Sequence, residues 1–143
     1  MELKVKTQIK IAKPVSDVFD AVIDNKKMDK YFITSGSAPM EEGKTVVWEW
    51  ADYNAKIDIH IGKIEKNKFI SFRWLGNKIE TKVEMTFESV TDSTTIIRIL
   101  ENGWNNDNIG IPAFAENTQG WVAFCYCLKA WLEFGVNLNI GVL

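Results

Sequence analysis

The stretch WVAFCYCLKAWLEFGV, Trp121 to Val136, limits what this chain can fold into more than any other. At 100° per residue, Trp121, Phe124, Cys125, Leu128, Leu132, Gly135 and Val136 fall within about 60° of one direction. A stripe that broad is suited to face a sheet. The opposite side is apolar too: Ala123, Tyr126, Cys127, Ala130, Trp131 and Phe134, with Lys129 and Glu133 as the charges of the stretch. A helix apolar nearly all round is normally buried on both sides. The back of this one reads in two ways. Tyr126, Trp131 and Phe134 form a surface for a second copy or a protein partner, or loop 103–112 or two short helices cover them. Cys125 and Cys127 point about 200° apart on such a helix and cannot pair, so they read as buried thiols.

The residues ahead of this helix alternate. Leu3, Val5, Thr7, Ile9 and Ile11 interleave with charged or amide residues, which predicts a half-buried first strand. Pro14 suits the first turn of a helix carrying Val15, Val18, Phe19 and Val22 inward. A second short helix is expected from Asn25 to Phe32, then a turn-rich passage from Ile33 to Lys44. Strands follow at 45–51, 55–64, 69–75, 79–89 and 94–102, separated by turn signals. GWNNDNIGIP, 103–112, reads as an ordered loop, and the last helix should begin between Ala113 and Thr118 and run to about Asn137. Gly120 falls inside it, at a cost of about 1 kcal/mol relative to Ala. The order predicts an α+β domain spanning 1–143, a curved antiparallel sheet with helices on one face.

Composition narrows the function classes. A net charge of −2 without a dense Lys/Arg block lacks the footprint of a nucleic-acid binder. The alternating N-terminus is unlike a signal peptide, and no run reaches the roughly 18 apolar residues of a membrane span. The expected location is the cytoplasm. Six Trp and eight Phe are a heavy aromatic load, fitting an aromatic core or a ligand space.

The order of motifs resembles a known superfamily. IAKPVSDVFDAVID followed by NKKMDKYF is similar to the start of SRPBCC (START-like, helix-grip) proteins, in the branch named for homology to the activator of the heat-shock-protein-90 ATPase. Phe19 takes that start's first aromatic position, and Tyr31-Phe32 stands for its Trp-Phe pair. TTIIRILENGW and GWVAFCYCLKAWLEFG resemble the family's last strand and final helix. The resemblance implies six or seven strands wrapped around the long helix, a cavity between them, and two small helices closing one end.

Strand parity and the helix stripe together select the cavity candidates: Trp48, Trp50, Ile57, Ile59, Ile61, Phe72, Trp74, Val83, Met85, Phe87, Ile97, Ile99, Trp121, Phe124, Cys125 and Leu128. Each reads equally as plain core. Glu101 shares a face with Ile97 and Ile99 and is the best-placed acid, with hydrogen bonds to nearby backbone N–H groups or Trp104 as its structural role. His60, Arg73 and Arg98 are out of phase and should face water. No catalytic constellation, metal cluster or cofactor motif is recognised, so none is expected. Three functions follow. The first is non-catalytic binding of a small hydrophobic or amphipathic ligand in the cavity. The alternative, implied by the resemblance, is a chaperone-linked interaction protein. The third, also implied by the resemblance, is a polyketide-cyclase-like enzyme.

Overall fold

Alternating segments become strands and the breaks between them become turns in the computed structural model, which describes residues 2–139. The elements are β1 (Leu3–Ile11), α1 (Val15–Ile23), α2 (Asn25–Met28), β2 (Ser35–Gly36), β3 (Thr45–Trp50), a 3-10 turn (Ala51–Tyr53), β4 (Ala55–Glu65), β5 (Phe69–Gly76), β6 (Ile79–Thr91), β7 (Thr94–Trp104) and α3 (Gly110–Phe134). Among the described residues seven strands form one antiparallel sheet in the order β1-β7-β6-β5-β4-β3-β2. Strands adjacent in sequence are adjacent in space except β1, which crosses to pair with β7, so the sheet curls around α3. This is the helix-grip fold.

Four local expectations change. The second helix stops at Met28 rather than Phe32. The Met28 carbonyl accepts from Tyr31, Phe32 and Ile33 N–H groups at 3.2, 3.0 and 3.3 Å, so the chain coils inward and brings Tyr31 and Phe32 against the core. A two-residue strand, β2, interrupts the turn-rich passage. β7 continues to Trp104, leaving only 105–109 as loop, and α3 begins at Gly110. Asp107 sets that start: its Oδ1 accepts from the N–H groups of Ile109 at 3.0 Å and Gly110 at 2.7 Å. Pro112 then lies in the first turn, where its missing N–H is harmless. At the other end Gly135 takes φ +68° and closes α3, so Gly135 and exposed Val136 leave the helical stripe.

Gly103 makes a bulge near the end of β7. Its φ is +131°, and the register with β1 shifts there. A Cβ would come within 3.0 Å of the Glu80 carbonyl oxygen. The extra residue lets Glu101 and Trp104, three apart, both point inward.

The expected stripe does face the sheet: Trp121, Phe124, Cys125 and Leu128 are buried, and Leu132 packs against the core. The helix end is tied to β1. Lys129 Nζ donates to the Lys10 carbonyl at 2.7 Å, and the Ala12 N–H donates to Glu133 Oε2 at 3.0 Å. On the back, Tyr126 and Phe134 are exposed, whereas Cys127 is buried. Trp131 stacks on Tyr31 with ring centres 5.7 Å apart and 23° between planes. The turn after α2 thus covers part of the helix's back, and Trp131 belongs with the core margin rather than with a free surface.

Candidate functional site

Glu101 lies at the junction of three strands and the helix. It is fully buried, on β7 directly opposite Val83 of β6. Its Oε1 accepts from Trp121 Nε1 at 2.7 Å and Asn117 Nδ2 at 3.1 Å. Its Oε2 accepts from Thr81 Oγ1 at 2.6 Å, Trp74 Nε1 at 2.8 Å and Asn117 Nδ2 at 3.1 Å. Both oxygens are therefore occupied by donors from β5, β6 and α3. A buried carboxylate is tolerated only when so satisfied. Trp104 is not among the donors; the partners are side chains across the sheet and on the helix. The arrangement holds α3 in register on the sheet and leaves no lone pair aimed at open space for proton transfer.

Around this point the rings pack closely, edge to face except for Trp74 and Trp121, whose planes are 34° apart. Trp48 meets Phe72 at 5.4 Å, Phe72 meets Trp74 at 5.4 Å, Trp74 meets Trp121 at 5.5 Å and Trp121 meets Phe124 at 5.3 Å. The heavy aromatic load largely fills the space under the helix.

The space beside the helix that stays open lies at one flank of α3. A cleft of about 580 Å³ is lined by Phe32, Trp50, Tyr53, Gly120, Ala123 and Phe124, with Glu116, Gln119 and Asn139 at its rim. A hollow of about 230 Å³ beside it is bordered by Trp50, Tyr53, Ile57, Trp74, Asn77 and Asn117. A pocket of about 70 Å³ reaches Trp74, Asn117 and Trp121. Phe32 is fixed at the mouth because its carbonyl accepts from Trp50 Nε1 and Asn139 Nδ2, both at 3.0 Å.

Of the cavity candidates, Trp50, Ile57, Trp74, Trp121 and Phe124 border these openings. Trp48, Ile59, Ile61, Phe72, Val83, Met85, Phe87, Ile97, Ile99, Cys125 and Leu128 lie in the packed core. Sequence reasoning did not select Phe32, Tyr53, Asn117 or Gly120 for this site. Gly120 carried a signal: a helix-interior glycine that costs stability. A Cβ there meets nothing within 4 Å, so it faces the cleft rather than a close-packed neighbour.

The other titratable candidates lie elsewhere. His60 is exposed and its Nδ1 is 3.0 Å from Thr45 Oγ1. Arg73 is exposed, and Arg98 pairs with Glu88 at 2.7 Å. Burial pushes the Cys125 thiol up to about 12 and raises Cys127. Burial also raises Tyr31, whose hydroxyl donates to the Ala21 carbonyl at 2.8 Å. Among the described residues, no group of three or more His, Cys, Asp or Glu is placed to hold a metal ion, and no helix is long and apolar enough to cross a membrane.

Comparison with known proteins agrees with this architecture. The structure of protein SSP2350 from Staphylococcus saprophyticus is 27% identical, with a TM-score of 0.82, 95% of this chain covered and 96% of that one. DynU16, a putative protein in the dynemicin biosynthetic locus, is 25% identical with a TM-score of 0.83 over 94% of this chain and 49% of its own length. The Aha1 dimer from Colwellia psychrerythraea shares the fold at 19% identity, with a TM-score of 0.79 over 92% and 97%. No curated protein sequence matches. The model of the "Activator of Hsp90 ATPase homolog 1-like protein" family matches residues 12–133, from just after β1 to the last turn of α3. The chain belongs to the family of Activator of Hsp90 ATPase homolog 1-like proteins.

Proposed function

We propose that this protein is a non-catalytic interaction protein that engages a chaperone of the heat-shock-protein-90 type. The observation that carries the reading is the family match from just after β1 to the last turn of α3. The site supports it, because the buried acid beneath the helix is consumed by its four donor residues. Such a role places the protein in the cytoplasm beside its partner. The Colwellia relative is described as a dimer, and we extend self-association to this chain. Titration of a purified chaperone of this type in a calorimeter tests the reading. Saturable binding is expected; no heat and no co-migration at 100-fold excess would argue against it.

A second reading rests on the cleft beside Gly120: a small apolar or amphipathic ligand held among Phe32, Trp50, Tyr53 and Phe124. Native mass spectrometry of protein purified from its own host tests it. A bound mass that Gly120→Leu removes supports the reading, and bare protein argues against it.

A further inference from the structure

Asn117 keeps one polar atom that the protein does not use. It lies on α3 three residues before Gly120, so the two share a helix face. Its Nδ2 donates to both oxygens of Glu101 at 3.1 Å. A carboxylate accepts and does not donate, so the NH₂ of the amide points at Glu101 and Oδ1 points elsewhere. The reverse orientation would set oxygen against oxygen. Among the described residues no group donates to Oδ1. Nor is this atom sealed away: the buried side-chain atoms without a partner belong to Asp29, Asn67 and Trp104. Asn117 borders both the hollow of about 230 Å³ and the pocket of about 70 Å³, so its free acceptor is open to a ligand there.

The inner donors around that space are spent. Trp50 Nε1 donates to the Phe32 carbonyl, and Trp74 and Trp121 Nε1 donate to Glu101. Each indole has a single N–H and nothing further to offer. Asn77 Nδ2 donates to Glu116. Tyr53 and Gln119, the remaining side chains able to donate, are exposed to water. A ligand carbonyl or carboxylate would therefore lose its water and find no inner partner, which is costly. A ligand N–H or O–H finds Asn117 Oδ1. The rings of Phe32, Trp50, Trp74 and Trp121 suit a flat apolar body. Phe32 and Gly120 line both the small pocket and the cleft of about 580 Å³, so the two spaces adjoin at Gly120, which has no side chain to part them.

We propose that Asn117 selects what this cleft holds: a neutral, flat ring molecule that donates one N–H or O–H to Asn117 Oδ1. The inference rests on the small-ligand reading above and names the ligand's chemistry; the chaperone reading is tested separately.

Indole and 1-methylindole test it, because they share a ring system and differ in one donor. Each is titrated into the full chain and followed by the proton–nitrogen NMR signals of the Asn117 side-chain amide and the Trp74 and Trp121 indoles. Indole should shift the Asn117 amide and bind about fivefold more tightly than 1-methylindole, the effect of one ordinary hydrogen bond. Asn117→Leu removes the acceptor and leaves Glu101 with Trp74, Thr81 and Trp121 as donors. In that variant the two affinities should agree within about twofold. Equal affinities for the wild type overturn the inference and leave the cleft reading standing, and this comparison does not depend on the variant folding. A preference for indole that survives in Asn117→Leu also overturns the inference, as do indole shifts that avoid the Asn117 amide. No shift from either probe up to about 5 mM overturns the inference and the small-ligand reading together.

Discussion

Trp121 and Glu101 meet across the boundary between helix and sheet, the indole N–H donating to Oε1 at 2.7 Å with both side chains buried. Trp74 reaches the other oxygen from β5. One carboxylate thus joins two rings from opposite sides of the core.

Glu101→Gln keeps the shape and replaces an acceptor with an NH₂ group. At least one indole or amide N–H then faces a donor. The variant should lose about 3 kcal/mol of stability, because buried unpaired groups beside a former charge are costly. Urea unfolding of both proteins checks this; a loss below 1 kcal/mol would mean the network contributes little.

Trp121→Ala removes the ring as well as the hydrogen bond and should cost about 3–5 kcal/mol. A nearly neutral result, read by thermal unfolding, would show that this helix face does not bear on the sheet.

Two glycines give opposite predictions. At Gly76 a Cβ would lie 2.8 Å from Trp74 Nε1 and 2.9 Å from Asn117 Nδ2, so Gly76→Ala should push on the Glu101 cluster and cost about 1–3 kcal/mol. At Gly120 a Cβ meets nothing, and Gly120→Ala should stabilise by about 0.5–1 kcal/mol. Unfolding midpoints that move the same way for both would contradict the geometry.

Glu133 sets a pH dependence. Its hydrogen bond to Lys129, and then that from the Ala12 backbone N–H, hold its carboxyl below the ordinary value of 4.5. A depressed acid stabilises the fold fully above its unfolded value, and that contribution disappears as pH falls through the folded value. The stability difference between wild type and Glu133→Gln should therefore be constant above about pH 5 and shrink toward pH 3. A difference that does not vary with pH would remove Glu133 from the link between β1 and α3.

Much of the sheet was legible because one strand face is buried and parity then fixes every side chain. His60 fell outside and Glu101 inside on that argument alone. What was not legible depended on backbone detail. The triple acceptor at Met28 that shortens α2, the Asp107 cap that starts α3 early, and the bulge at Gly103 are local hydrogen-bond choices without a period. The cleft was missed for a related reason. Its walls, Phe32 and Tyr53, come from turns, and Asn117, which borders the smaller hollow beside it, lies in a stretch read as the uncertain start of the helix. Trp131 was assigned to the free back of α3 because helical spacing does not reveal that Tyr31 stacks on it.

The most direct test of the central claim is the ATPase rate of a chaperone of the heat-shock-protein-90 type measured against increasing concentrations of this protein. The account predicts a saturable rise in rate while the protein alone hydrolyses no ATP. A flat rate at saturating concentrations, with the protein folded, would contradict it.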